Sequence, residues 1–259
     1  MDWLKYFYWD SWFPANASSS GAQIDDLYRL IYWLTAVAFL LVMVLLVGFL
    51  VAYRAKPGRK AVYHHGNSTL ELVWTLIPAA IFIWLAFHSQ TLWDNLRGKM
   101  PPGDVHIGVT GKQFNWFFHY PGQDGQLGQA RPYAAEDGGM SAGYFMTSKE
   151  GPEKDNVQKE GVLVVPVNKT IRVSIAAHDV IHSFFLPNMR LKQDAVPGRT
   201  VEVWFKPIKT GEYEVVCAEL CGMDHSHMKA TLKVLSDEDY AKWLAENPKN
   251  FPPAGAKQP

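Results

Sequence analysis

Two stretches of the chain carry no formal charge and are apolar at nearly every position. The first, LIYWLTAVAFLLVMVLLVGFLVAY, runs between Arg29 and Arg54, and the second, LVWTLIPAAIFIWLAFHSQTLW, between Glu71 and Asp94. A helix rises about 1.5 Å per residue, so roughly 20 apolar residues cross the hydrocarbon core of a bilayer. The first stretch is apolar on all its faces, unlike an amphipathic helix packed on a soluble core. The second contains Pro78, His88 and Gln90. Proline is tolerated in a spanning helix where neighbouring helices satisfy the freed carbonyl, so Pro78 points to packing against a partner. The pattern predicts a transmembrane hairpin over 27–96, with helices at about 28–53 and 70–93, after an N-terminal segment 1–26. The first run starts too late for a cleaved signal peptide. The opening MDWLKYFYWDSWF is rich in aromatics and reads as interfacial or partner-contacting.

Beyond these helices the pattern changes period. RGKMPPGD, from Arg97, reads as a linker whose paired prolines forbid helix. Short runs follow, among them VHIGVTGKQFNWFFHY, GVLVVPV, TIRVSIAA, TVEVWFKP, GEYEVVCA and KATLKVL. Several alternate apolar and polar residues, as half-buried strands do, and no helix separates them. The pattern predicts an all-β sandwich or barrel over 97–259. YPGQDGQLGQ and the glycine-rich stretch from Glu136 to Gly143 read as loops. SDEDYAKWLAEN predicts a closing helix at about 237–246, with Ser236 as N-cap and acids in the first turn.

Charge adds orientation. The chain carries 25 basic and 25 acidic residues, so it lacks the basic balance of a nucleic-acid binder. Its mean hydropathy, −0.11, resembles that of a soluble protein only because the apolar runs are averaged with a polar remainder. The loop RAKPGRK holds Arg54, Lys56, Arg59 and Lys60. The positive-inside rule places it in the cytoplasm, leaving both termini and the β domain outside.

The candidate chemistry sits in CAELCGMDHSHM, Cys217 to Met228, which contains both cysteines of the chain. A disulfide is the default in an oxidising compartment, yet a four-residue spacing closes a loop too small to remove much unfolded-state entropy. Structural zinc prefers four nitrogen or sulfur ligands, and methionine is a poor one. Thiolate, imidazole and thioether together suit copper. One blue-type copper needs a single thiolate, whereas two thiolates can bridge two ions, each then requiring its own imidazole. His225 supplies one imidazole. For the other, AAHDVIHSFFLPN offers His178 and His182, and spacing alone leaves both open, with His227 an alternative to His225.

The C-x-E-x-C-x3-H-x2-M loop, read as Cys217, Glu219, Cys221, His225 and Met228, resembles that of cytochrome c oxidase subunit II, the copper-bearing subunit of the haem-copper oxidases. DVIHSFFLPNMRLKQDAVPGR is similar to another stretch of that family and selects His182; ELVWTLIPA resembles the family's second helix. The resemblance implies a two-helix anchor followed by a cupredoxin-like β-sandwich. It also implies a binuclear CuA centre bridged by Cys217 and Cys221. His182 and His225 are then its terminal imidazoles, Met228 an axial ligand on one ion and the Glu219 carbonyl on the other. His178 and His227 are left as polar neighbours.

The resemblance also gives Glu219 a side chain facing oxidase subunit I, holding Mg²⁺ or Mn²⁺ there; a salt bridge is the plainer role. It places Glu71 at the mouth of a proton-uptake path, where a carboxylate also serves as an interfacial anchor. The family's electron-uptake stretch is often G-x-Q-W-x-W, and this chain reads GKQFNW, with Phe114 in the usual tryptophan position and Trp116 beyond it. The implied donor is cytochrome c, or a cytochrome c domain held by another respiratory complex, and the implied partners are subunit I, subunit III and membrane lipid. No C-x-x-C-H occurs, so no haem c attachment is expected here. The implied location is a bacterial plasma membrane, preferred to a mitochondrial inner membrane because of Phe114 and the loop-rich insertion.

Overall fold

The structure is a computed structural model that describes residues 13–121, 127 and 157–246. The aromatic opening up to residue 12 and the two loop stretches read between Tyr120 and Gly143 lie largely outside them. Two compact units divide the chain: one of residues 23–99, the other of 1–22 together with 100–259.

The first unit contains α1 (Gly21–Ala52) and α2 (Ser68–Trp93), which runs on as a π turn over Asp94–Gly98. Helix α1 begins seven residues before the expected position, because the polar turn GAQIDDL carries no breaker once Gly21 has started it. At 32 residues it is about 48 Å long, more than a bilayer's apolar thickness. Both helices are exposed along their apolar windows, so neither is the core of a soluble domain. Arg59 closes α1 by donating to the Ala52 carbonyl at 2.9 Å, a cation at a helix C-terminus. Asn67 opens α2 by accepting from Leu70 N–H at 3.0 Å.

Among the described residues, the second unit is a β-sandwich of two five-stranded sheets. Its strands are β1 (Val105–Lys112), β2 (Asn115–Tyr120), β3 (Val157–Glu160), β4 (Val162–Pro166), β5 (Ile171–Ala177), β6 (His182–Leu186), β7 (Leu191–Ala195), β8 (Val201–Phe205), β9 (Gly211–Cys217) and β10 (Lys229–Leu235). One sheet has the order β3-β2-β1-β5-β8, the other β4-β10-β9-β6-β7. Alternation explains the core: Trp116, Phe118 and Tyr120 of β2 and Ile171, Val173 and Ile175 of β5 are all fully buried. The Tyr120 hydroxyl ties the sheets by accepting from Val164 N–H at 2.7 Å and donating to Val164 O at 3.1 Å. After β10, α3 (Asp237–Glu246) starts at Ser236, whose Oγ accepts from Asp239 N–H, and rests Trp243 on Tyr120.

Two features were not legible in the strand pattern. The segment HSFFLPNMRLKQDA forms the hairpin β6–β7, its turn made by Pro187–Met189 and a left-handed Arg190. Residues before α1 are also not a free-standing segment. Ala17 is buried, bonded to Asn188 O and Ile208 N–H, while Arg190 donates to Pro14 O, so the strap 14–19 belongs to the sandwich.

A buried histidine makes the sandwich acid-sensitive. His119 has no exposed surface, and burial pushes its pKa down to about 4. The unfolded chain takes up this proton near about pH 6.5, so between there and pH 4 the unfolded state binds more protons, and stability falls with pH by up to about 3 kcal/mol. Urea midpoints between pH 7 and 4 should show this loss, with a shallower slope for His119→Gln. Equal slopes would acquit His119.

Candidate metal centre

One end of the sandwich gathers four strand termini. Gly111 at the end of β1 lies beside Ala177 of β5, and Phe184 of β6 pairs with Cys217 of β9. This last pairing brings the start of β6, His182, against the end of β9. The loop after β9 is closed at its base by Cys217 N–H to Met228 O (3.1 Å) and Ala218 N–H to Ser183 O (3.0 Å). Inside it, Gly222 takes φ +141°, a conformation that favours glycine, and His225–His227 make a single tight turn.

The donors converge. Cys217 and Cys221 are buried and free, with sulfurs 3.9 Å apart. His182 Nδ1 lies 4.0 Å from Cys217 Sγ, and His225 Nδ1 3.5 Å from Cys221 Sγ. The Met228 thioether stands 3.7 Å from Cys221 Sγ, and the Glu219 carbonyl 3.2 Å from Cys217 Sγ. Metal–thiolate bonds of about 2.3 Å at a tetrahedral angle separate two sulfurs by about 3.8 Å, so this spacing suits thiolates sharing an ion. The soft donor set fits copper.

The electrostatics prepare one thiolate. Burial opposes ionisation of Cys217, but the His182 hydrogen bond and neighbouring backbone groups outweigh it and hold the thiol below its usual range. Burial and the Cys217 charge push Cys221 up. Burial opposes protonation of His182, yet hydrogen bonds to Cys217 and Asp179 leave it raised. A metal taking both sulfurs therefore displaces a proton from Cys221, and metal uptake weakens as pH falls.

Other expected residues fall elsewhere. His227 is exposed and bonded to Asp224 at 2.6 Å, and His178 stands outside the tight His182–Cys217–Cys221 cluster. The Glu219 carboxylate is exposed and makes no salt bridge among the described residues. Glu71 occupies the first turn of α2. Phe114 is half-buried in the β1–β2 turn. Trp116 is fully buried with its ring centre 6.0 Å from that of His182. That burial removes Trp116 as a direct contact for a donor, because as an inward residue of β2 it packs in the core. Asp179, which sequence reasoning passed over, accepts from His182 Nε2 at 2.8 Å; the short D-x-x-H spacing was its signal.

Residues 105–235 match the family described as the cytochrome c oxidase subunit II periplasmic domain, and residues 7–92 match its transmembrane domain. The chain belongs to the cytochrome c oxidase subunit II family. Among its relatives, cytochrome c oxidase subunit 2 of Cereibacter sphaeroides is 33% identical over 90% of this chain and 79% of that protein. The alternative cytochrome c oxidase subunit 2 of Bradyrhizobium diazoefficiens is 30% identical over 93% and 85%. The crystallised periplasmic domain of subunit II from Bradyrhizobium japonicum shares 36% identity, covering 58% of this chain and 98% of that domain, with a TM-score of 0.43. As a subunit II, this chain is part of a haem-copper oxidase, an oxidoreductase complex, anchored by two apolar helices and carrying a periplasmic-type β domain.

Proposed function

We propose that Cys217, Cys221, His182, His225, Met228 and the Glu219 carbonyl would hold the two copper ions of a CuA centre, with Cys217 and Cys221 supplying its thiolates and His182 and His225 its imidazoles. The observation that carries this reading is a pair of unjoined thiols 3.9 Å apart, each with its own imidazole nitrogen within 4.0 Å. Bound there, the copper pair would supply a one-electron store between reduced cytochrome c and haem in subunit I, where oxygen is reduced to water and protons are pumped.

The chain's own residues do the rest. The two sheets hold the donors at one end of a packed core, so the ligand positions move little when the charge changes. Phe114 offers a partly exposed aromatic contact to a soluble cytochrome c or to a cytochrome c domain of another respiratory complex. Trp116 fills the space between that turn and His182. His225 is partly exposed, and in this reading electrons would leave near it towards subunit I. The free carboxylate of Glu219 suits a Mg²⁺ or Mn²⁺ ion at that interface, and Glu71 lies at the mouth of a proton-uptake path. Subunit III and lipid surround the helices. The basic loop from Arg54 to Lys60 faces the cytoplasm of a bacterium, and both termini and the sandwich face the periplasm.

Copper content and electron paramagnetic resonance of the full chain in detergent test this. Two coppers with one electron shared equally between two nuclei are expected; one localised copper, or none, would overturn it. Met228→Leu preserves side-chain volume, so copper should stay while its potential shifts. An unchanged potential would take Met228 out of the ligand shell.

A further inference from the structure

The turn between β1 and β2 touches the centre without supplying a ligand. Gln113 N–H donates to Asp179 Oδ2 at 2.8 Å, and the Gln113 side-chain amide donates to the Cys221 carbonyl at 2.6 Å. Asp179 Oδ1 accepts from Val180 N–H at 2.7 Å and from His182 Nε2 at 2.8 Å. A continuous set of hydrogen bonds thus runs from His182 through Asp179 and Gln113 to the loop of Cys221. It joins three segments far apart in the chain.

The packing leaves this linkage little slack. The Asp179 side chain is 23% exposed, and His182 is wholly buried. A side chain at Gly222 would place its Cβ 2.9 Å from Gln113 Nε2 and 3.0 Å from Phe114 Cε1, so the ligand loop passes directly against the turn. With Nε2–H donated to a carboxylate, the lone pair of His182 is on Nδ1, the nitrogen that faces Cys217. A carboxylate acceptor on the far nitrogen also makes the ligating nitrogen more basic.

We propose that Asp179 and Gln113 are positioning residues of the copper centre, which lock the tautomer and ring plane of His182 and hold the Cys221 loop against the turn that carries Phe114. This rests on the copper reading above and extends it to groups that touch no metal. The two ligand loops and the donor-facing turn then form one rigid assembly, and a perturbation at Phe114 reaches both bridging cysteines through Gln113.

The test uses the full oxidase in detergent and reads copper retention against a chelator, the potential of the copper centre and its hyperfine pattern. Asp179→Ala should weaken copper binding 10–100-fold, the range for ligand-orienting partners, and make the sharing of the unpaired electron uneven. Gln113→Ala should act in the same direction with a smaller effect. Asp179→Asn keeps an acceptor towards His182 but loses the charge, so copper should be retained while the potential shifts. A purely structural role would lower stability and leave hyperfine and potential alone. Wild-type hyperfine, potential and retention in Asp179→Ala would overturn the proposal. Should that variant fail to accumulate, an unshifted potential in Asp179→Asn would do the same. If the wild-type chain itself lacks a two-copper signal, the copper reading falls and this inference with it; a normal wild-type signal with unaltered variants overturns this inference alone.

Discussion

Cys221→Ser is expected to abolish the two-copper centre outright. Its sulfur is the hub of the donor set, lying 3.9 Å from Cys217 Sγ, 3.5 Å from His225 Nδ1 and 3.7 Å from Met228 Sδ. Serine is close in shape, so the buried loop keeps its packing, but a neutral hydroxyl is a hard and weak donor for copper. The remaining donors, Cys217 and His182 among them, would then hold at most a single copper ion, with a one-nucleus hyperfine pattern. Cys217→Ser should have the same outcome by the other route, because it removes the sulfur that His182 faces. Copper stoichiometry and electron paramagnetic resonance measure both. Two coppers per chain with an unaltered spectrum in either variant would end the bridging assignment.

Gly111→Ala should displace His182 without replacing any of the proposed donors. A Cβ at Gly111 would sit 3.0 Å from His182 Cδ2, 3.1 Å from His182 Cγ and 3.0 Å from Trp116 Cζ3. Both rings are fully buried and packed on each other, so neither can turn away freely. Overpacking of this kind typically costs about 1–3 kcal/mol, and the imidazole, met at two atoms against one of the equally near Trp116, is the ring expected to give way. The expected result is a lower urea midpoint together with a reduced copper-to-chain ratio. Full copper content with wild-type hyperfine would show that Trp116, not His182, absorbs the added methyl group.

The anchor was legible because lipid imposes a local rule. A spanning helix satisfies its own backbone, so an uncharged run of sufficient length is enough to recognise α1 and α2, whatever they pack against. Most of the sandwich was legible for a similar reason, since alternation in β2, β5 and β10 follows from one face being buried. The hairpin β6–β7 was less so. Its strands, HSFFL and LKQDA, do not alternate cleanly, and its turn depends on Arg190 adopting a left-handed conformation.

The amino-acid sequence by itself determined the helices and the β class, and it put five of the proposed donors, Cys217, Glu219, Cys221, His225 and Met228, in one short stretch whose reach is set by chain connectivity. The family resemblance pointed to His182, but only the tertiary structure shows how residues outside that stretch reach it. His182 meets Cys217 through the pairing of Phe184 with Cys217, and Asp179 and Gln113 meet through contacts 66 residues apart. Such meetings depend on strand register and sheet order, which are settled by the packing of the whole core and leave no local period in the chain. The same holds for Trp116, whose burial beside His182 follows from the face that β2 turns inward.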